Sequence, residues 1–486
     1  MENEAFNNSV RSGILTSHKF EEITELNSKL QEALAENGYV YLTPIQYHVI
    51  PKMLQGRDVL GAAQTGSGKT LAFVIPAVDL LYSVKAKQAQ GTLVLIIAPT
   101  RELVSQTMTV ATNLTRNVTH TVGCIYGGSN RKEEERQLTK GINLLICTPG
   151  RLLDHLQNSS NFIYQNLAML ILDEADRILE IGFEKELTKI LKILPSERQT
   201  ALFSATKTDK MIDIVKLSLN NPVLIEVKQE QKTVEGLEQF HIICPPGEKL
   251  ALLYKILKDM SKEASASEKS TLKIMVFLST CQSTQYHENI FRLFNNFIPI
   301  LGLHGQKKQN KRLEIYHKFS NSKKSILFCT NVAARGLDFP NVDVIIQYDP
   351  PDDIREYIHR VGRTARGTNS SGSSILFLLP QEIGLLKLLA QENIVTTAMD
   401  INYRSLEKIQ SQLEKIIQST PELQKDAITA FKKFLLAYHS HSLKNIFQIE
   451  KLDIGKLAKS FALSTIPKYD LPALARIKRK TQKNTN

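Results

Sequence analysis

The sequence has few cysteines, five in 486 residues, and it has no long run of apolar residues. Its longest apolar stretches, such as 93–98 and 375–379, are far shorter than the roughly 20 residues that span a bilayer. The first ten residues lack the apolar core of a secretion signal. None of the cysteines forms a CxxC pair, so we expect reduced core thiols in an intracellular protein, and we expect no membrane association.

Acidic residues are outnumbered by basic residues, 49 against 61, which gives a formal charge of +12. An excess of positive charge favours polyanionic partners such as nucleic acids. Of this excess, +8 lies in residues 396–486, which carry 16 lysines and arginines against 8 acidic residues. The densest basic cluster is Arg476–Lys480. A solvated tail, an RNA contact and a nuclear address are all consistent with such a cluster.

Short apolar and β-branched segments alternate with helical patterns along most of the chain. The strand candidates are 93–98, 122–126, 143–147, 168–172 and 200–204, followed by 240–244, 273–278, 299–303, 325–329, 342–348 and 374–379. Apolar strands that alternate with helices form parallel sheets covered on both faces. The stretch 221–239 is polar and charged, which is typical of a linker. The sequence therefore predicts an α/β fold with two similar domains in tandem.

Beyond residue 395 the apolar spacing is helical only, which predicts a small α-helical extension. The predicted segments are a disordered N-terminal segment (1–19), a first domain (20–228), a linker (229–239), a second domain (240–395), a helical extension (396–475) and a basic tail (476–486).

The segment 63–70 has the composition of a phosphate-binding loop between a strand-like and a helical pattern. Its glycines allow backbone amides to approach phosphate oxygens, and the N-terminus of the following helix adds positive potential. Lys69 is predicted to neutralise phosphate charge, and Thr70 to ligate Mg²⁺. The strict motif has glycine where Ala63 stands, so a glycine-rich turn without this role is the alternative. The predicted ATP contacts here are Ala63, Gln64, Thr65, Gly66, Ser67, Gly68, Lys69 and Thr70.

Asp173 and Glu174 directly follow the apolar run 170–172, about a hundred residues after the phosphate-binding loop. ATP hydrolysis needs one carboxylate that positions Mg²⁺ and another that orients the attacking water. Acidic residues also cap helix N-termini, and the helical pattern of 175–181 keeps that structural role open. In combination with the phosphate-binding loop, the pair predicts an ATP-hydrolysing enzyme in which Lys69, Asp173 and Glu174 are catalytic.

Between residue 20 and about residue 395 the chain resembles the DEAD-box ATP-dependent RNA helicases, and the family motifs occur in order. The resemblance implies that both domains are RecA-like. It assigns Phe20 and Gln46 to the adenine, because a glutamine can pair with adenine N6 and N7 while an aromatic ring stacks on the base. It also assigns Asp338 to the ATP site. In the same segment, Asn331 replaces the usual aspartate of the family and Phe339 replaces an aliphatic residue.

Further motifs resemble the RNA-side and coupling elements of this family. Hydroxyl groups, glycine amides and arginines suit phosphate and ribose. The positions assigned to RNA are Pro99, Arg101, Gly128, Thr148, Arg151, Thr280, Arg312, Thr330 and Arg335. The positions assigned to coupling are Ser204, Thr206, Asp176 and His359. Arg363 and Arg366 match the arginine-finger motif, and their spacing predicts that one helical face directs both at the γ-phosphate. A solvated basic helix end is the alternative.

Other segments, including 152–158, 348–353 and 437–444, resemble the nucleolar subfamily that processes pre-ribosomal RNA. This resemblance implies ATP and Mg²⁺ as cofactors, pre-ribosomal RNA and ribosome assembly factors as partners, and a nuclear, nucleolar location. We expect a monomer outside larger complexes. The expected function is ATP-driven unwinding or remodelling of RNA during ribosome biogenesis. An ATP-gated RNA clamp or assembly platform with little unwinding is the alternative.

Overall fold

The fold is taken from a computed structural model of the chain. The residues it describes are 15–63, 66–116, 120–204, 209–227, 236–266, 271–294, 298–331, 339, 342–365, 371–401 and 406–468. They form two compact units, the first within residues 1–230 and the second built from most of the chain after that point. Six predicted site residues, and the predicted tail 476–486, lie outside the described residues. These six are Gln64, Thr65, Thr206, Arg335, Asp338 and Arg366.

The first unit is built on a parallel sheet with the strand order β3-β4-β2-β5-β6-β1-β7. The strands are β1 (Val59–Ala62), β2 (Val94–Ile97), β3 (Val122–Ile125), β4 (Leu144–Cys147), β5 (Met169–Leu172), β6 (Gln199–Ser204) and β7 (Val223–Glu226). Leucine and isoleucine make up three of the four residues in each of β2, β4 and β5, and every residue of these three strands is buried. This pattern is typical of central strands with helices on both faces.

Helices cover both faces of the first sheet, and two separate apolar clusters form its two sides. The helices are Ser28–Glu36, Pro44–Leu54, Lys69–Ser83, Arg101–Leu114, Arg131–Lys140, Pro149–Asn158, Ala175–Ile181, Glu184–Ile193 and Asp209–Ser218. Several begin at the carboxyl ends of strands, where Thr100, for example, caps its helix by accepting the amide hydrogen of Leu103 over 3.3 Å. The loops at this edge therefore carry the predicted motifs.

The second unit repeats the architecture with the strand order β10-β11-β9-β12-β13-β8-β14, again parallel. The strands are β8 (Leu237–Ile243), β9 (Leu272–Phe277), β10 (Ile300–Leu303), β11 (Lys324–Cys329), β12 (Val344–Gln347), β13 (Gly372–Leu378) and β14 (Thr397–Ala398). The helices that flank this sheet are Lys249–Ala266, Cys281–Arg292, Gln309–Asn321, Ile354–Val361 and Gly384–Gln391.

The C-terminal extension consists of helices Leu406–Ser419, Pro421–Ser440 and Ile454–Lys459. It packs on the second unit, mainly against the helices Lys249–Ala266 and Cys281–Arg292. Its aromatic residues Phe431, Phe434 and Phe461 belong to the same apolar core as the sheet of that unit. The extension is therefore part of the hydrophobic core of the second unit and not a separate module.

The predicted fold class, two tandem RecA-like parallel-sheet domains with a helical extension, is confirmed. One strand was missed in the polar stretch 221–239, which was interpreted as a linker, and another, predicted as 240–244, begins earlier than expected, inside that stretch. Strand β7 pairs with β1 at the edge of the first sheet, and β8 starts at residue 237. Edge and near-edge strands are only partly buried, so they lack the continuous apolar run that identifies central strands. Within the described residues, no helix combines the length and apolarity needed to cross a membrane.

Candidate nucleotide and RNA sites

The phosphate-binding loop connects β1 to the helix Lys69–Ser83. Gly66 and Gly68 have left-handed φ angles of 84° and 91°, a conformation that favours glycine. A Cβ atom at Gly68 would lie 2.5 Å from Nε2 of Gln46. The Lys69 ammonium group is buried and donates to the carbonyl oxygen of Ala63 over 2.5 Å. Lys69 thus reaches back to Ala63, while Ser67 and Thr70 are half-buried at the start of the helix.

Gln46, the predicted adenine-reading residue, contacts the same loop. Its Oε1 accepts the amide hydrogen of Thr43 over 2.8 Å, and its Nε2 donates to the carbonyl oxygen of Gly68 over 3.0 Å. Phe20 lies in the apolar core with only 4% of its surface exposed. The amide of Phe20 donates to the carbonyl oxygen of Val40 over 3.0 Å. The structure therefore ties Gln46 directly to the phosphate-binding loop and places Phe20 beside the segment that precedes Gln46.

The acidic pair follows β5 at the carboxyl edge of the sheet. The Asp173 carboxylate is 3% exposed, and it accepts the amide hydrogen of Glu174 over 2.9 Å. Burial, followed by the charge of Glu174, raises the pKa of Asp173 to about 7, although Lys69 acts in the opposite direction. Glu174 has a φ angle of +46°, a strained backbone conformation that is found mainly at functional sites. Adjacent carboxylates, one buried and one half-buried, fit a divalent cation with oxygen ligands such as Mg²⁺.

Two of the predicted coupling residues lie next to the phosphate-binding loop and the acidic pair. Ser204 ends β6, and its carbonyl oxygen accepts the amide hydrogen of Ala63 over 3.1 Å. Asp176 is 4% exposed, one turn after the acidic pair, and its Oδ1 accepts the amide hydrogen of Arg177 over 3.0 Å. The chain thus connects the predicted coupling element to the phosphate-binding loop through main-chain hydrogen bonds.

Four of the RNA-assigned residues of the first unit lie at the opposite half of the same sheet edge. The Arg101 guanidinium lies against the Gly127–Gly128 turn, where a Cβ atom on Gly128 would be 2.7 Å from Nη1 of the arginine. Thr148 follows β4 and donates its amide hydrogen to the carbonyl oxygen of Ile125 over 3.2 Å. Pro99, at the end of β2, is buried. These positions therefore lie where the neighbouring strands β2, β3 and β4 end, with Arg101 in contact with the glycine turn and Thr148 buried beside it.

The guanidinium group of Arg151 is fixed by contacts with other residues of the first unit. Its Nε is 3.1 Å from Oε2 of Glu134, and its Nη2 donates to the carbonyl oxygen of Ser129 over 3.0 Å. The side chain of Arg151 is only 13% exposed. Glu134 also accepts the amide hydrogen of Tyr126 over 3.2 Å and lies 3.1 Å from Nε2 of His155. This carboxylate therefore joins the glycine turn to the helix that carries Arg151.

Sequence reasoning missed Glu134 and His155. Glu134 lies within the charged run 131–136, which is typical of a solvated helix face, yet it is 5% exposed. His155 is fully buried and also contacts the hydroxyl of Ser159 over 2.9 Å. No single-sequence signal distinguishes Glu134 from its acidic neighbours. The partners that select it lie on other elements.

In the second unit, Thr280 and Thr330 follow the neighbouring strands β9 and β11. Thr280 caps the helix Cys281–Arg292, because its hydroxyl oxygen accepts the amide hydrogen of Ser283 over 3.0 Å. Thr330 donates its amide hydrogen to the carbonyl oxygen of Leu303 over 3.2 Å. Arg312 lies half-buried on the helix Gln309–Asn321. The two threonines are therefore adjacent at one sheet edge, and Arg312 lies on a flanking helix.

The structure of the arginine motif differs from the prediction that Arg363 and Arg366 share one face of a helix. The helix Ile354–Val361 contains His359 but ends before Arg363, whose Nε donates to the carbonyl oxygen of His359 over 3.2 Å. Ala365 then adopts a left-handed φ angle of 52°, which a continuing helix cannot contain. The helical spacing argument for Arg363 and Arg366 is therefore wrong for the described part of the motif. The assignment of both arginines to the γ-phosphate stays a prediction.

Comparisons with known families match three successive parts of the chain. Residues 43–214 match the family described as DEAD/DEAH box helicase, and residues 248–368 match the helicase conserved C-terminal domain. Residues 420–469 match the C-terminal extension of ATP-dependent rRNA helicases of the SPB4-like type.

Individual relatives and a solved structure match nearly the whole chain. The chain is 48% identical to the ATP-dependent RNA helicase has1 of Emericella nidulans, over 96% of this chain and 75% of the relative. It is 47% identical to the ATP-dependent RNA helicase HAS1 of Saccharomyces cerevisiae, over 96% and 91% of the two chains. The structure of Mss116p bound to single-stranded RNA and AMP-PNP is 29% identical, with a TM-score of 0.83 over 95% of each chain.

Proposed function

The chain belongs to the DEAD-box family of ATP-dependent RNA helicases, and we propose that it uses ATP to unwind or remodel short stretches of pre-ribosomal RNA during ribosomal subunit biogenesis. The single observation that carries this proposal is the order of the matched segments, which end in an extension of the rRNA-helicase type at residues 420–469. The arrangement of the acidic pair and the phosphate-binding loop on one sheet edge supports the same activity.

In the proposed reaction, the residues of the first unit bind ATP and prepare water for attack. Lys69 leaves its carbonyl partner and neutralises phosphate charge, and Gln46 contacts the base while it stays tied to the loop. Glu174 accepts a hydrogen bond from the attacking water and orients it. When Mg²⁺ is bound, it would neutralise the developing charge on the phosphate. Thr70 and Asp173 would hold this ion, partly through water.

The second unit supplies the remaining groups of the proposed mechanism. Arg363 and Arg366 act on the γ-phosphate when ATP and RNA are both bound, so that hydrolysis depends on RNA. Thr280 and Thr330 hold the phosphates and 2′-hydroxyls of one strand in a bent path that a duplex cannot follow. Because these contacts are mainly to the backbone, sequence preference should be weak.

The variant Glu174→Gln tests the catalytic assignment. We expect it to bind ATP and RNA as the natural protein does but to lose RNA-stimulated hydrolysis by about a hundredfold or more, because the water is no longer oriented. Glu197→Gln, which removes an exposed carboxylate of the same unit, is the matched control. Near-normal turnover by Glu174→Gln would refute the assignment.

A strand-displacement assay on a short RNA duplex separates the helicase from the alternative of a clamp. A helicase releases the shorter strand in the presence of ATP, whereas a clamp binds with ATP and releases none. The same assay on a DNA duplex tests the expected preference for RNA.

Ribosome assembly factors as partners, and a nucleolar location, follow from the same proposal. A fluorescent fusion of the full chain is expected to concentrate in the nucleolus, and crosslinking of the protein to RNA in cells should recover pre-ribosomal sequences. Crosslinks spread evenly over messenger RNA would contradict the proposed substrate.

A further inference from the structure

A buried ion pair lies under the RNA-assigned edge of the second unit. Nζ of Lys249 is 3.0 Å from Oδ1 of Asp349, and each side chain is 3% exposed. The Lys249 ammonium group also lies over the ring of Tyr348, 4.3 Å from its centroid. Asp349 follows β12 at the carboxyl edge of the sheet, as Asp173 follows β5 in the first unit. No family motif quoted above gives this pair a role.

The second oxygen of Asp349 holds the segment that leads into Thr280. Oδ2 accepts hydrogen bonds from both the amide and the hydroxyl of Ser279, each over 2.9 Å. Burial alone would raise the pKa of Asp349, but Lys249 and the two Ser279 donors outweigh it and hold that pKa below its ordinary value. The carboxylate therefore stays charged and fixes the backbone immediately before Thr280.

The C-terminal extension closes this site from the other side. The ring centroid of Phe434 lies 5.7 Å from the Lys249 ammonium group. Tyr438, one turn further along the same helix, places its hydroxyl beside the buried carboxyl group of Glu382, which itself faces Lys249. Two hydrogen bonds dock the helix Cys281–Arg292, which Thr280 caps, against the extension. They run from the Tyr286 hydroxyl to the carbonyl oxygen of Phe461 and from Asn289 to Asp426, each over 2.8 Å.

A buried ion pair is a weak means of stabilising a fold, because desolvation of the two charges cancels much of their attraction. It can specify geometry, because each oxygen of Asp349 has its own donors, Lys249 on Oδ1 and Ser279 on Oδ2. We propose that Lys249 and Asp349 are positioning residues that hold Ser279–Thr280 in place for RNA, and that the C-terminal extension takes part by covering this pair. The inference rests on the proposed function, because it takes Thr280 as an RNA contact.

The central experiment measures the binding of a fluorescent single-stranded RNA to the full chain in the presence of AMP-PNP. Asp349→Asn places an amide NH₂ group against either the Lys249 ammonium or the Ser279 donors. RNA affinity is therefore expected to fall about tenfold, while affinity for AMP-PNP alone is unchanged. In the double variant Lys249→Met with Asp349→Asn, the amide oxygen can turn to Ser279 and the NH₂ group meets a neutral side chain. This neutral pair is expected to restore most of the RNA affinity.

Ser460→Ala is the control, since it removes a buried hydrogen bond within the extension without touching the ion pair or the helix that Thr280 caps. It should lower the melting temperature and leave RNA affinity unchanged. If Asp349→Asn does not fold, Phe434→Leu replaces it, because this change opens the cover over Lys249 and keeps every hydrogen bond. RNA affinity should then fall a few-fold. A folded Asp349→Asn or Phe434→Leu protein that binds RNA as tightly as the natural chain would overturn the inference.

Hydrogen exchange at the Ser279 amide separates this inference from the proposed function. The amide should be protected in the natural protein and in the double variant, and it should exchange faster in Asp349→Asn without any RNA present. Equal protection in all three proteins would overturn the positioning role. A natural protein without RNA-stimulated ATP hydrolysis would instead refute the proposed function, whatever the exchange rates.

Discussion

Arg360 donates from Nε to Oδ1 of Asn331 over 3.0 Å in the interior of the second unit. Its Nη1 donates to the carbonyl oxygen of Asp349 over 2.7 Å, and its Nη2 to Oε1 of Glu356 over 2.5 Å. The guanidinium is 1% exposed. Asn331 stands where the family resemblance leads one to expect aspartate. The amide oxygen keeps the acceptor, while Glu356 supplies a counter-charge.

Substitution of Asn331 should depend on whether the acceptor is kept. Asn331→Asp keeps it and adds a charge beside a buried cation, so we expect nearly normal melting and ATP hydrolysis. Asn331→Ala leaves a buried N–H of Arg360 unsatisfied, which should lower the free energy of unfolding by about 1–3 kcal/mol. Urea unfolding measures this difference, with the exposed Asn321→Ala as the control. An alanine variant as stable as the natural protein would contradict the role of this hydrogen bond.

Arg151 should act on RNA through the shape of the glycine turn rather than through its charge. Arg151→Gln and Glu134→Gln each break the contact that joins the turn to the helix, so each is expected to weaken single-stranded RNA binding by about tenfold. The double variant should be no weaker than either single variant, because both changes remove the same interaction. A double-mutant cycle of RNA affinities measures this coupling.

Salt dependence distinguishes the two possible roles of Arg151. Loss of a direct phosphate contact lowers the slope of log affinity against log salt by about 0.7 for a single strand, whereas loss of a positioning contact leaves it unchanged. We expect an unchanged slope for Arg151→Gln. Arg136→Gln, on the exposed face of the helix that carries Glu134, loses the same charge and serves as the control. A reduced slope for Arg151→Gln alone would assign it to phosphate contact.

Much of the fold was accessible from sequence because its signals are local. The central strands are continuous apolar runs, and β5 was predicted as 168–172 against Met169–Leu172 in the structure. The ATP motifs are also local, since Lys69 and Gly68 are adjacent and Asp173 directly follows its strand. Parallel topology then brings such strand ends together at one edge.

The residues that sequence reasoning missed depend on partners that are distant along the chain. Asp349 is 70 residues from Ser279 and 100 from Lys249, so no periodicity reveals the group. One signal was available for Asp349, a carboxylate two residues after the end of a buried strand, which resembles the pattern that identified Asp173. The end of the helix at Val361 was missed because the basic sequence after it contains no proline and keeps a helical spacing of arginines.

Stability of the second unit should fall as pH rises through the range in which Glu382 titrates. Burial raises the pKa of Glu382 from 4.5 to about 7, although Lys249 acts in the opposite direction. Between these values the folded protein keeps a proton that the unfolded chain has lost. The free energy of unfolding therefore decreases with rising pH, by on the order of 3 kcal/mol in all. The part of stability that depends on this proton is fully present below about pH 4.5 and lost above about pH 7.

The variant Glu382→Gln removes this titration. Its unfolding free energy, measured in urea relative to the natural protein, should shift in favour of glutamine between pH 5 and pH 8. Glu407→Gln removes an exposed carboxylate from the extension, and its difference from the natural protein should not change with pH. If glutamine becomes less favourable at pH 8 than at pH 5, Glu382 is ionised in the fold and stabilised by Lys249.

Removal of the C-terminal extension should cause loss of folding as well as loss of RNA binding. Residues 396–486 carry +8 of the formal charge of +12, so their loss should weaken RNA binding through charge alone. However, Phe431, Phe434 and Phe461 are at most 5% exposed and share a core with Tyr286. Each large apolar side chain contributes about 1.5–3 kcal/mol when buried, and a whole domain is stable by only about 5–15 kcal/mol.

A shorter deletion, of residues 476–486, therefore provides the cleaner test of the basic tail, because all of the core residues stay in place. We expect the shorter deletion to leave thermal unfolding unchanged, to weaken RNA binding and to reduce the salt dependence of that binding. Deletion of 396–486 should instead produce a protein with no cooperative unfolding of the second unit. Calorimetry of the two proteins and salt titrations of RNA binding measure these effects. A cooperative, undiminished transition after the longer deletion would show that the extension only lies on the surface of the unit, and its aromatic residues would then be available to contact a partner.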